Sequence, residues 1–270
     1  MSRVKLHVRA ALAVAERDFR IYRSYRLRAI SQLLQILFTL TLFYYLSQLV
    51  RVGPFTGSHS YFAFAVVGLV ILQVLTFTFS LLPGDLRQEL VAGTFERVVV
   101  SPFGPLGGVI SLTLFPLVIS FVSGLLTVAV GAIVFGLPLA GWQALLAIPV
   151  ALLGELAFVP FALGLAGLVL CVKQAGAGAG YVVTLFSLIG GFYFPVSLLP
   201  GWIRWASDAQ PFTPTVDLMR HLLVDSPLRE DGALSLAKLA GSAILLLPLG
   251  VLVLRWAIEF SQRRGTIIEY

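Results

Sequence analysis

A chain of 270 residues with 58% hydrophobic and only 12% charged residues is not an ordinary water-soluble domain, in which about a quarter of residues carry charge. So much apolar surface has to meet lipid, which makes this an integral membrane protein. The net charge of +6 gathers at the start: Arg3, Lys5, Arg9, Arg17, Arg20, Arg23, Arg26 and Arg28 face only Glu16 and Asp18 within residues 1–28. A basic block directly before an apolar run follows the positive-inside rule and argues against nucleic-acid binding as its purpose. Cys171 is the single cysteine, so no internal disulfide forms. His7, His59 and His221 are too scattered for a metal site.

In chain order, residues 1–28 carry a helical period. Val4, Val8, Ala11, Leu12, Ala15, Phe19 and Tyr22 share one stripe, with Arg9, Arg17, Arg20 and Arg23 away from it. This predicts an amphipathic helix on the cytoplasmic leaflet, its arginines toward anionic headgroups; a partner-binding helix is the rival reading. The segment is too polar for a cleavable signal peptide. Charge-free runs at 29–50, 52–84, 98–154, 174–203 and 239–254 then supply the spans, each of which needs about 20 residues.

The expectation is an all-α, polytopic membrane protein, one permease domain over 1–270, with six transmembrane helices. They fall near 29–50, 60–82, 106–135, 143–171, 177–196 and 234–256. Pro83-Gly84 closes the second, and "FGLPLAG" at 135–141 turns the third, with Trp142 as an interfacial aromatic. The small-residue run "QAGAGAG" opens the fifth and permits close helix approach.

Segment 197–233 is no span. It holds Pro200, Pro211, Pro214 and Pro227, and its acids Asp208, Asp217, Asp225, Glu230 and Asp231 outnumber Arg204, Arg220 and Arg229. It reads as two short helices dipping into the outer interface, with Trp202 and Trp205 as anchors on one face and Thr213-Pro214 as N-cap and first residue of the second. Of the 19 Lys and Arg, all but Arg51, Arg204, Arg220, Arg229 and Lys238 then lie inside, which places both termini in the cytoplasm of a plasma (cell inner) membrane protein.

One stretch breaks the oil. "RQELVAGTFERVVVSP", residues 87–102, carries Arg87, Glu89, Glu96 and Arg97 within a few turns, on the cytoplasmic side. Leu86, Leu90 and Val91 make an apolar stripe, and Gly93 marks a bend or a close backbone approach. Within the spans the one acid is Glu155, near mid-bilayer. A carboxylate there costs about 2.5–3.5 kcal/mol, so it should face the bundle interior, paired or protonated. Its readings are a polar point on a transport path or a neutral helix contact. Aromatic clusters (Phe43, Tyr44 and Tyr45; Phe77 and Phe79; Phe192, Tyr193 and Phe194) are either lipid-facing bulk or the lining of a cavity for an amphiphile or sugar rings.

Two motifs carry a resemblance. "RQELVAGTFERVVVSPFGP" (Glu89, Gly93, Thr94, Glu96, Arg97, Pro102) and "GGFYFPVSLLPGWIRWASDAQPFTPTVDLMR" (Phe194, Pro195, Leu199, Pro200, Pro211, Arg220) resemble the membrane subunits of ABC type-2 exporters over most of the chain. The resemblance implies that segment 85–102 forms a coupling helix docked on a separate ATPase subunit through Arg87, Glu89, Gly93, Thr94, Glu96 and Arg97. It implies a dimer, with a second copy or a related chain, and a substrate path along spans two and five. ATP and Mg would then sit in the partner, and this chain would hold no cofactor. The three lysines Lys5, Lys173 and Lys238 are followed by Leu, Gln and Leu, so none belongs to a P-loop. The cargo implied is amphiphilic: a lipophilic drug or metabolite, a glycolipid or a lipid-linked glycan. The rivals are an ATP-independent carrier or channel, for which only Glu155 offers an intramembrane ionisable group, and an intramembrane protease. For the latter, the nearest match to G-x-S-G is Val122-Ser123-Gly124 behind Phe121, and no histidine lies in a span.

Overall fold

The computed structural model describes residues 3–49, 58–101, 103–172 and 176–264, and every regular element among them is helical. In order these are α1 (Arg3–Ser24), α2 (Arg26–Leu49), α3 (Ser58–Val91), α4 (Phe95–Val99), α5 (Gly104–Leu112), α6 (Leu114–Phe135), α7 (Ala147–Val172), α8 (Gly176–Ile189), α9 (Gly201–Ala209), α10 (Phe212–Val224) and α11 (Gly232–Arg263). A 3-10 turn at Gly141–Leu146 leads into α7. Pro102, and Gln174 and Ala175 of the small-residue run, lie outside the described residues.

Five helical stretches are long and apolar enough to cross a bilayer: Arg26–Leu49, Tyr61–Val91, Gly104–Phe135, Gly141–Val172 and Gly232–Arg263. The chain is a multi-pass membrane protein. The fifth expected span, 177–196, is shorter than expected: α8 has 14 residues and stops at Ile189. At 1.5 Å per residue it covers roughly 21 Å of a hydrocarbon core about 30 Å thick. Its stop is local, because Gly191 takes φ +75° and Pro195 is extended at ψ 137°.

Other boundaries also shift. Pro83 does not end the second span; it sits inside the 34-residue helix α3, which continues to Val91. A proline forfeits one backbone hydrogen bond, and packed neighbours in a membrane bundle make that tolerable. Thr213 is not a helix cap: α10 begins at Phe212 behind Pro211, with no side-chain cap. The last helix runs on to Arg263, well past 256.

The core forms around α3 and α7. Phe79, Phe158 and Phe212 are fully buried. Phe212 stands 4.7 Å centroid to centroid from both Phe158 and Phe186, within the range for favourable ring pairs. Glycine brings α11 onto α7: a Cβ on Gly250 would lie 2.7 Å from Pro160 Cα, and one on Gly167 3.1 Å from Ala257 Cβ. These close approaches are the membrane form of small-residue packing. At the far end, α9 and α10 form the two short helices expected before the last span, with Trp202 and Trp205 exposed and Pro211 and Phe212 buried.

Candidate functional site

The charged stretch is not a separate loop helix. Its first half, Asp85–Val91, is the end of α3; Gly93, at φ +67°, turns the chain; its second half is α4. The turn caps α3, since the Gly93 N–H donates to Leu90 O and the Thr94 N–H to Glu89 O, both at 3.1 Å. A Cβ on Gly93 would meet nothing within 4 Å, so the glycine serves the bend and not a close approach. Leu86, Leu90 and Phe95 are buried beneath the turn, whereas Val91 is 63% exposed and drops out of the expected stripe. Val98 packs directly on Gly108 of α5.

The charges divide. Arg87, Glu96 and Arg97 are exposed. Glu89 is engaged within the chain: its carboxylate sits 2.7 Å from Arg17 of α1 and accepts the Thr94 hydroxyl. Arg17 could not be foreseen as its partner from spacing, since the two lie far apart in the chain. Asp18 joins this junction: one oxygen pairs with Arg17 at 2.8 Å and the other is buried with no hydrogen-bond partner among the described residues. Burial pushes the Asp18 carboxyl above its ordinary value, against the pull of Arg17.

Helix α1 therefore docks on the bundle through Arg17, Val14 and Tyr22. Much of its apolar stripe stays uncovered: Val8, Leu12 and Phe19 are more than half exposed, while Ala11, Ala15 and Tyr22 are half-buried.

At the α9–α10 end, Arg220 is buried to 4% exposure. Its Nε donates to Phe64 O at 3.2 Å, its Nη2 to Phe192 O at 2.9 Å, and its guanidinium lies 3.3 Å from the Phe64 ring centroid. A side chain on Gly68 would collide with Phe192 O and come within 2.9 Å of Arg220 Nη2. Arg220 thus ties α10 to α3 and to the non-helical link after α8. Phe194 and Pro195 are half-buried in that link, and Pro200 and Trp202 are exposed at the start of α9. The second motif is an architectural clasp.

Within the membrane, Glu155 of α7 faces inward, 3% exposed, and accepts the Ser120 hydroxyl of α6. It borders a cavity of about 70 Å³ lined otherwise mainly by apolar side chains and Thr215. A second polar cluster lay unnoticed in the sequence. The amides of Gln32 (α2, 2.5 Å) and Gln73 (α3) both donate to Ser123 Oγ of α6. Thr127 donates to Gln73 Oε1 at 2.9 Å, and Tyr22 of α1 to Gln32 Oε1 at 2.9 Å. Ser123, the nearest approach to a protease serine, is thus an acceptor joining three helices. The signal available beforehand was glutamine inside charge-free apolar runs. Among the described residues no group of His, Cys, Asp and Glu could hold a metal ion.

The family model described as ABC-2 type transporter matches residues 10–224, a stretch that includes most of α1, the α3–α4 turn and the whole Arg220 clasp. Among curated proteins none matches the chain.

Proposed function

This chain belongs to the ABC-2 type transporter family, and from that premise we propose that it is the transmembrane subunit of an ATP-driven exporter of amphiphilic cargo, powered by a separate ATPase subunit. Two such chains, or this one and a related chain, would form the membrane unit in a plasma (cell inner) membrane, with both termini and the α3–α4 turn cytoplasmic.

The observation that carries this reading is the build of the α3–α4 turn. Arg87, Glu96 and Arg97 are offered to solvent between the exposed Val91 and Val100, while Leu86, Leu90 and Phe95 fix the turn from below. An exposed apolar rim around mixed charges suits docking, and the buried anchors make the patch stiff. Helix α3 passes unbroken from this patch through the bundle, where it packs on α2, α6, α7, α8 and α10. Displacement of the patch by a closing ATPase pair is then felt along roughly 51 Å of one helix. ATP shifts the access equilibrium only through its different affinity for the two arrangements.

The dimer face and path proposed along α3 and α8 are supported by what those helices leave uncovered. Thr76 and Ser80 of α3 and Tyr181 and Thr184 of α8 are exposed although the two helices adjoin.

The test is co-purification with a co-expressed ATPase subunit, then Glu96→Arg with Arg97→Glu. These residues make no ion pair among the described residues, so their reversal leaves the bundle intact. Loss of the ATPase subunit with unchanged thermal stability is the expected outcome. An assembled complex with full ATPase activity would defeat the docking reading.

A further inference from the structure

Beside the Arg220 clasp lies a cavity of about 490 Å³, inside the ~300–1,000 Å³ range of small-molecule sites. Its lining includes Phe64 of α3, Pro195 and Ser197 of the link after α8, and Asp217 and Arg220 of α10. No described residue of α8 borders it. Two charges facing this space are unanswered. Arg220 is buried, yet the acceptors of its guanidinium are neutral carbonyls, and it makes no ion pair among the described residues. Those carbonyls take Nε and Nη2, which leaves Nη1 for the cavity. Asp217 is half-buried, and its carboxylate has neither an ion pair nor a hydrogen bond among the described residues. Burial raises the Asp217 carboxyl above its ordinary value, against the pull of Arg220 and Arg229.

A buried charge is normally paired, and the other charges at the cavity do not supply the partner. Arg229 is held by Asp208 at 2.6 Å, and Asp225 is exposed at the end of α10. Asp217 and Arg220 lie at i and i+3 on one helix, which sets their Cβ atoms about 5–6 Å apart on one face. A phosphate with an amine two carbons away spans such a gap. The guanidinium donates to phosphate oxygens, and the carboxylate accepts from an ammonium. An anion alone would leave Asp217 unanswered, and a cation alone would leave Arg220 so. The surroundings place the cavity at headgroup level. Trp202 and Trp205 of α9 are exposed as interfacial aromatics are, and Arg204 Nη2 ties α9 to the lining link through Ser197 O at 2.8 Å and Leu199 O at 3.0 Å. Phe64, Pro138 and Pro195 add an apolar wall for a glycerol backbone.

We propose that this cavity binds a phosphate–amine zwitterion, the headgroup of an outer-leaflet phospholipid of the ethanolamine type, with its phosphate on Arg220 and its ammonium on Asp217. The lipid is a resident that completes the charge balance of the clasp, not cargo on the α3–α8 path. Its leaflet follows from the orientation proposed above, whereas binding needs neither an ATPase nor transport.

The experiment is native mass spectrometry of the full chain alone, delipidated in detergent. The probes are dioctanoyl phosphatidylethanolamine, dioctanoyl phosphatidylglycerol, dioctanoylglycerol and free glycerophosphoethanolamine. The ethanolamine lipid is expected to bind about tenfold tighter than the glycerol lipid, and tighter than the other two probes by at least as much. Asp217→Asn keeps the shape and removes the charge, so the glycerol lipid should then bind at least as well as the ethanolamine lipid. A purely structural Asp217 would instead weaken both lipids alike, which overturns the proposal. Ser197→Trp sets a bulky ring on an exposed lining position without altering either charge, and should abolish ethanolamine-lipid binding even if Asp217→Asn fails to fold. Equal binding of the two phospholipids to the unaltered chain, or ethanolamine-lipid binding that survives Ser197→Trp, overturns the proposal. Free glycerophosphoethanolamine binding as tightly as the lipid overturns the lipid source and assigns the cavity to a soluble zwitterion. Because no ATPase is present, failure here leaves the transporter reading standing, and loss of ATPase docking leaves this site standing.

Discussion

Replacing Arg220 tests the clasp, because the structure reverses the usual order of conservative and drastic changes. The guanidinium forks between Phe64 O and Phe192 O and stacks on the Phe64 ring. Hydrogen bonds from a charged donor contribute about 1.5–3 kcal/mol each, and a desolvated cation–π contact about 2 kcal/mol. Against this stands a burial cost of several kcal/mol for the ion. Arg220→Met removes both sides of the balance together. What remains is the Phe192 carbonyl, left unpaired outside any helix, at about 1–3 kcal/mol. Arg220→Lys keeps the buried charge and its cost, yet an ammonium cannot reach both carbonyls in one plane or stack flat on Phe64. Lysine is therefore expected to destabilise at least as much as methionine, by about 2–4 kcal/mol in total. Thermal midpoints of the purified variants in one detergent give the order. A lysine variant clearly more stable than the methionine variant would refute the fork argument.

Gly250→Ala, whose Cβ would stand 2.7 Å from Pro160 Cα, should lower stability by about 1–3 kcal/mol, whereas Gly164→Ala on α7, with nothing within 4 Å, should be close to neutral by the same melting assay. Glu155→Gln should keep the fold, because an amide oxygen still accepts the Ser120 hydroxyl, and Ser120 also bonds Leu117 O at 3.0 Å; a collapse in yield or melting temperature would show that the carboxylate itself is needed. Asp18→Asn should raise the melting temperature at neutral pH. The folded-state carboxyl is raised above its unfolded value of 3.8, so folding is penalised as pH rises through that window, and the difference from wild type should shrink as pH falls toward 4.

Hydropathy, the basic N-terminus and the Pro- and acid-rich stretch before α11 suffice to place α1, the apolar helices and the two short helices before α11, because lipid leaves the backbone few choices. Boundaries are harder. Whether Pro83 or Gly191 ends a helix depends on tertiary partners: Pro83 is buried among neighbours that hold α3 together, while Gly191 takes a left-handed turn with Val196 packed against it. The same limit applies to charges. Composition reveals that Glu89 and Glu96 break the apolar run, but only the folded chain separates them, one tied to Arg17 and Thr94 and the other left to solvent.

That separation bears on how α1 works. A basic amphipathic helix held only by lipid would move with the membrane. Here Arg17 pairs with Glu89 at the end of α3, and Tyr22 bonds Gln32, which in turn shares Ser123 with Gln73. Two sets of polar contacts, linked to each other through α1 itself, therefore join α1 to the α3–α4 turn and to the α2–α3–α6 interface. Each link is weak where exposed, about 0–1 kcal/mol for a pair like Arg17–Glu89, but stronger where buried in a low-dielectric bundle. The exposed outer links can break and reform while the buried ones hold the helices in register. The Arg17–Glu89 pair thus fastens α1 to the turn, while the Gln32–Ser123–Gln73 contacts keep the three membrane helices aligned.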